Sequence, residues 1–131
     1  MQKNFDTWNI IKKNIELNSM EINFYPKIGE VWMSTLGLNI GFEQDSGGSQ
    51  YSRPVLIVYK FNNHMFWSVP LSRKQKSFDF YFNFVDESNQ KVSIILAQLR
   101  LISVKRLNRK LYDISPEIFL NVKSKLRGLF R

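Results

Sequence analysis

The spacing of apolar residues changes period along the chain, and each change predicts an element. Near the N-terminus Trp8, Ile11 and Ile15 recur at helical spacing. Asp6 can cap that segment, and Phe5 with Ile10 has the separation of a hydrophobic staple. An amphipathic helix over residues 5–18, docked by its stripe on the rest of the fold, is expected. Tyr25-Pro26 breaks the pattern and Gly29 marks a turn, after which Glu30 to Ser34 reads as a strand. Pro54 to Phe61 (PVLIVYKF) is a continuous run of β-branched and apolar residues, the mark of a strand buried on both faces. Asn62-Asn63-His64 supplies turn chemistry, and Met65 to Pro70 returns as a hairpin partner. Phe78 to Phe84 (FDFYFNF) alternates as a half-buried strand does. Asp86 to Gln90 is a polar turn, and Val92 to Leu96 and Leu99 to Val104 are further strand segments. Helical spacing returns at Ile118, Val122, Leu126 and Leu129, behind a favourable start of Ser115, Pro116 and Glu117.

Five or six short, mostly antiparallel strands must close or sandwich to protect their edges. The expected fold is therefore mainly β with helices: a small β-barrel with one N-terminal and one C-terminal helix. One domain is expected over residues 1–131, with a helical extension at 1–25 and the barrel and its last helix at 26–131.

One segment fits neither period. Leu36 to Ser52 (LGLNIGFEQDSGGSQYS) is rich in glycine and serine and predicts a long, mobile loop. Loops of that length inside a compact domain are usually functional or disordered.

Charge and composition narrow the chemistry. The formal net charge is +8 with a pI near 9.8, which suits a polyanionic partner, either nucleic acid or an acidic protein. The chain has no cysteine, which removes disulfides, thiolate metal sites and a cysteine nucleophile, and fits a reducing cytoplasm. Its one histidine, His64, falls in a hairpin turn, where a surface role is expected; no metal-ligand cluster and no phosphate-cradling glycine motif is present. No apolar run reaches the length of a membrane span, and the N-terminus lacks the apolar core of a signal peptide.

Attention moves to the strand ends beside the long loop. Arg53 stands where the loop enters the buried strand, and Ser72 just after the partner strand. A hairpin about Asn62-Asn63 brings both to one end of the sheet. A guanidinium can fork onto two phosphate oxygens and a hydroxyl can add a neutral hydrogen bond. Arg73, Lys74 and Lys76 follow and strengthen the positive field. On pattern alone, the same residues also suit solvated strand ends.

Several ordered blocks share a likeness. Gly29-Glu30-Val31-Trp32, Asn39-Ile40-Gly41-Phe42-Glu43-Gln44 and Ser52-Arg53-Pro54-Val55-Leu56-Ile57-Val58 come first. Val69-Pro70-Leu71-Ser72, then Ile95-Leu96-Ala97-Gln98-Leu99-Arg100-Leu101-Ile102, then Lys105-Arg106-Leu107 with the final helix complete the set. Together, from about Gly29 to Gly128, they resemble the MazF/PemK toxin family. The resemblance implies an SH3-like barrel of the MazF/PemK/CcdB type. It also implies a homodimer, a small acidic antitoxin as partner, and cleavage of single-stranded RNA at short sequences with no metal or other cofactor. In such cleavage the ribose 2′-OH attacks, leaving a 2′,3′-cyclic phosphate and a 5′-OH. A catalytically inactive module of the same fold, binding nucleic acid or protein, is the alternative.

Matched residue by residue, Arg53 takes the place of the family's catalytic arginine and Ser72 that of its threonine or serine. Glu43 matches the loop glutamate and Gln98 the glutamine lining the site. Arginine stays protonated in proteins, so Arg53 reads as an electrostatic clamp on the phosphorane. Glu43 either accepts the 2′-OH proton or orients Arg53. Arg73, Lys74 and Arg100 are further candidates for RNA contact, with Lys105 and Arg106 beside them, and Tyr51 and Phe42 for stacking on unpaired bases. The chain departs from the family at Ala97, where some members carry Asp, in the longer stretch from Glu43 to Arg53, and in the N-terminal helix.

Overall fold

In the computed structural model of the chain, the structure describes residues 7–9, 11–12, 25–36 and 52–130. Among the described residues there are seven strands: β1 (Glu30–Thr35), β2 (Ser52–Lys60), β3 (Met65–Ser72), β4 (Tyr81–Val85), β5 (Lys91–Ile95), β6 (Arg100–Ser103) and β7 (Leu107–Asp113). Single turns of 3-10 helix, Leu96–Gln98 and Val104–Arg106, flank β6, and a C-terminal α-helix spans Pro116–Leu129. The strands run β4-β5-β3-β2-β1-β7, with β6 also paired to β3, and all their pairings are antiparallel.

The central hairpin forms where the sequence predicts it. Asn62 Oδ1 accepts from the backbone N–H groups of His64 (2.8 Å) and Met65 (3.0 Å), fixing the turn. His64 is exposed there. In β2, Val55 and Ile57 join one apolar cluster with Trp32, Phe66 and Ile102, while Leu56 and Val58 join another with Val31, Val69 and Ile94. The strand is thus buried on both faces, as its unbroken apolar run requires. Of the aromatics on these strands, Trp32 and Phe66 are core and Trp67 is 42% exposed. A register shift at Val58 turns Tyr59 to pair with Trp67.

The sheet corrects the expected closed barrel. Among the described residues β4 and β7 are both edge strands, and the sheet curls without joining them. The seam is filled instead of hydrogen-bonded. Val122 and Leu126 of the C-terminal helix enter the Leu56 cluster, and Phe82 and Phe84 from β4 and Leu111 and Tyr112 from β7 pack against the same cluster. Lys125 Nζ donates to the Tyr81 carbonyl at 2.9 Å, tying the helix to β4. The helix begins as expected, with Ser115 Oγ accepting from the Ile118 N–H at 3.2 Å and Pro116 in its first turn. Leu129, assigned to its apolar stripe, is 43% exposed.

One strand boundary and one whole strand also differ from expectation. The fourth strand starts at Tyr81, not Phe78; Phe78 and Phe80 stack on each other outside it, 5.2 Å between ring centroids. A seventh strand, β7, has no counterpart in the sequence reading. Its middle residues Asn108, Arg109 and Lys110 are exposed and polar, as suits an edge strand, so neither period is visible there.

Of the helix expected over residues 5–18, only a short helical stretch at 7–9 and 11–12 is described. In it Trp8 is buried, with the Arg106 guanidinium 5.8 Å from the centroid of its ring. Most of the loop expected from Leu36 to Ser52 lies outside the described residues, but its ends do not: Leu36 is buried and Ser52 pairs with Thr35.

Candidate functional site

The hairpin register decides where the chemistry gathers. Val55 pairs with Pro70 and Leu56 with Val69, and continuing that ladder sets Arg53 opposite Ser72. On its other side Arg53 pairs with Ser34 of β1, whose hydroxyl donates to the Arg53 carbonyl at 3.2 Å. The half-buried Arg53 side chain crosses to β3, where Nη1 donates to the Leu71 carbonyl at 3.1 Å. Backbone and guanidinium are both anchored beside Ser72.

The basic segment after Ser72 is held by side chains of its own, by that of Ser72 and by those of the β4–β5 hairpin. Ser72 Oγ accepts from the Lys74 N–H at 3.2 Å. Ser93, fully buried on β5, pairs with Ser72, and its hydroxyl donates to the Lys74 carbonyl at 2.7 Å. Gln75 Nε2 donates to the carbonyls of Phe84 and Val92, each at 3.1 Å, and Asn83 Nδ2 to that of Lys76 at 2.9 Å. Buried or paired polar groups therefore hold the backbone, while Arg73, Lys74 and Lys76 stand exposed. Such preorganisation suits binding of an anion, because little ordering remains to be done.

Arg53 and Ser72 open onto a cleft of about 580 Å³. Its apolar lining is Met33, Pro54, Leu71, Val92 and Leu111. Polar lining comes from Ser52, Arg53, Ser72 and Arg73 at the ends of β2 and β3. Further polar lining comes from the two edges of the sheet: Asp86, Ser88 and Gln90 in the β4–β5 turn, and Arg109 and Tyr112 on β7. The cleft thus occupies the end of the seam that the C-terminal helix leaves uncovered. Burial raises the pKa of the Tyr112 hydroxyl above its ordinary value, and the charges of Asp86 and Glu87 push it the same way. Tyr112 therefore stays a neutral hydroxyl.

The structure brings Arg53, Ser72 and Arg73 together and leaves other candidates apart. Gln98, in the turn between β5 and β6, and Arg100, opposite Ser68, do not line the cleft, and neither does Lys74. Arg106 is half-buried and acts as a brace, its Nη1 donating to the carbonyls of Thr35 (3.2 Å) and Leu36 (3.3 Å). Burial lowers its pKa, and the nearby charge of Arg100 adds to that. Glu43, Phe42 and Tyr51 lie outside the described residues. Arg109, Tyr112 and Asp86 were not among the candidates, because they reach the cleft from elements remote in sequence from Arg53. Among the described residues no group of three His, Cys, Asp or Glu side chains is placed to hold a metal ion, and no helix is long and apolar enough to cross a membrane.

Comparisons with known proteins bear on the family and the fold. Over residues 27–130 the sequence matches the PemK-like, MazF-like toxin family of type II toxin-antitoxin systems. No curated protein matches the sequence. Among solved structures, MazF from Deinococcus radiodurans is similar at a TM-score of 0.66 and 17% identity, covering 82% of this chain and 98% of that one. A MazE-MazF structure from the same organism gives 0.60 and 16%, covering 82% and 97%. An endoribonuclease in complex with its cognate antitoxin, from a mycobacterial species, gives 0.60 and 13%, covering 80% and 94%. At these identities the likeness is one of fold.

Proposed function

Because this chain belongs to the PemK-like, MazF-like toxin family, we propose that it is the endoribonuclease toxin of a toxin-antitoxin pair, cutting single-stranded RNA without a metal ion. The observation that carries the reading is the anchored Arg53 beside Ser72 at the mouth of a cleft with a basic rim.

In the proposed reaction the ribose 2′-oxygen attacks the adjacent phosphorus. The bond from phosphorus to the 5′-oxygen breaks, leaving a 2′,3′-cyclic phosphate and a 5′-OH. The 2′-OH proton passes to a base, for which Glu43 is the candidate, and the 5′-oxygen takes up a proton. Arg53 stabilises the non-bridging oxygens as charge builds on them, and Ser72 adds a hydrogen bond. A fixed guanidinium is strongest where negative charge increases most, which is the transition state. Arg73 and Arg109 are exposed on the cleft rim and offer charge to flanking phosphates. The Arg109 side chain makes no hydrogen bond or ion pair among the described residues, so its charge is available. The same reading takes a homodimer as the working form, the cytoplasm as its location and a small acidic antitoxin as regulator, the last because neighbouring structures are complexes with antitoxins.

The test is incubation of the purified protein with long single-stranded RNA in EDTA, followed by analysis of the ends. Fragments with cyclic phosphate and 5′-OH ends are expected. Cleavage that disappears with EDTA and returns with Mg²⁺ would overturn the mechanism, and intact RNA would favour a binding module of the same fold.

A further inference from the structure

Three arginines, Arg53, Arg73 and Arg109, line the cleft together with a single carboxylate, that of Asp86, which presents an acceptor to the same space as Tyr112. A carboxylate does not bind a phosphate, which it repels, and the reaction above gives the role of base to Glu43, so Asp86 is left without a part in it.

Asp86 is held in place by its turn. Its Oδ1 accepts from the N–H groups of Ser88 and Gln90, both at 2.9 Å, and its own N–H donates to the Gln90 carbonyl at 3.0 Å. Asn89 completes the turn in the left-handed region, with φ of 62°. Turn formation thus uses one carboxylate oxygen. Oδ2 has no hydrogen bond or ion pair among the described residues, so a fixed acceptor remains at the cleft rim.

We propose that the cleft at the seam is a pocket for one unpaired base, and that Asp86 with Tyr112 selects guanine there and disfavours uracil. This rests on the reading of the cleft as an RNA site. A cleft of about 580 Å³ is within the usual range of ligand pockets. Its apolar lining of Met33, Pro54, Leu71, Val92 and Leu111 suits the flat face of a base. An ionised carboxylate only accepts hydrogen bonds. Guanine carries two adjacent N–H donors, at N1 and N2, on one edge, which a carboxylate can accept. The carbonyl O6 beside them takes a hydrogen bond from a neutral Tyr112 hydroxyl, and that hydroxyl's raised pKa keeps its proton in place. Uracil offers a single N–H between two carbonyl oxygens, both of which the carboxylate repels.

The experiment uses full-length protein and 2′-O-methyl oligonucleotides, which bind but cannot be cut. Each is an oligoadenosine with a single guanosine or uridine; the uniform background leaves register free, so the odd base can find the pocket. The guanosine oligonucleotide is expected to bind at least about 5-fold tighter than the uridine one, the lower end of what a paired contact to a base edge provides. Asp86→Asn retains an Oδ1 for the turn but replaces the other oxygen with a donor, and it should bring the two affinities within about 2-fold of each other. Tyr112→Phe, which leaves the turn untouched, should narrow the difference partly. Equal binding of both oligonucleotides by the wild type, or an unchanged preference in both variants, would overturn the proposal. Cleavage of ordinary RNA, measured in parallel, separates the two readings. RNA cut without base preference in binding removes the pocket and leaves the nuclease. Preference without cutting removes the nuclease and leaves the pocket.

Discussion

The two ends of the β2–β3 hairpin are built from the same pair of strands and share almost nothing chemically. At one end stand Arg53 and Ser72, with Arg73 beyond them, on the rim of a cleft. About six residues along, roughly 20 Å at strand rise, Tyr59, Phe61 and Trp67 form an exposed group of rings with centroids 4.9–5.9 Å apart. Between them lie Val55, Leu56 and Ile57, all with no exposure. The comparison teaches that the apolar middle determines the register and that the two ends take it up differently. Arg53 meets Ser72 in continuation of that ladder, where a slip of one residue would exchange the two buried faces, and Tyr59 meets Trp67 only after the one-residue shift at Val58.

Breaking the middle should have the largest effect. Leu56→Ala removes a fully buried side chain and is expected to cost about 2–5 kcal/mol, read from the denaturant midpoint. If the two ends depend on one ladder, cleavage and near-ultraviolet aromatic signals should be lost in a single transition; two separated transitions would show that the ends are independent.

Next comes the cleft end alone. Arg53→Ala should lower the single-turnover cleavage rate by about 10² or more, as loss of a preorganised donor does, while RNA affinity changes little. Arg53→Lys should recover only part, since an ammonium cannot fork, and Ser72→Ala should be milder. Trp67→Ala is the matched control at the far end and should leave the chemical step unchanged. A wild-type rate for Arg53→Ala would remove the site assignment.

The smallest effect concerns pH beside the apolar middle. Gly29 donates its N–H to the Ile57 carbonyl, and next to it the buried Glu30 carboxylate accepts from Lys27 N–H at 2.7 Å and Trp32 Nε1 at 3.0 Å and meets Lys110 Nζ at 3.0 Å. Burial raises its pKa, but these hydrogen bonds and the Lys110 charge outweigh burial and leave the net value lowered. The ionised form is therefore the one the fold favours. Its contribution is complete above the ordinary carboxylate pKa and declines as pH falls through the lowered one. Thermal midpoints should drop across that acid window, and Glu30→Gln should flatten the drop; equal slopes in both proteins would argue against the assignment.

What the sequence allowed one to read follows from how local each signal is. The central hairpin, the last helix and its cap were legible because their periods and turn residues lie within a few positions of one another. Arg53 and Ser72 became neighbours on paper once Asn62-Asn63 was taken as the turn. The seam was not legible. Strand edges were expected to be protected by closure, whereas Val122 and Leu126 fill the gap from a helix at the far end of the chain. Asp86 and Tyr112 escaped for the same reason: a polar turn and an exposed edge strand carry no periodic mark, and only the curl of the sheet brings them together. Arg106, a candidate for RNA contact, proved to brace backbone carbonyls, since nothing in its neighbours' identities announces burial.

That brace has a consequence for how such a protein can diversify. Arg106 grips the last carbonyls of β1, and the Thr35–Ser52 rung closes the ladder immediately across from them. The stretch between is therefore spliced into the fold at two fixed posts. Doubling its length would cost only about 0.6 kcal/mol in loop-closure entropy, and no rung of the sheet would have to move. A longer stretch could be joined at the same two posts without disturbing the core, and one of them, Ser52, lines the cleft beside Arg53.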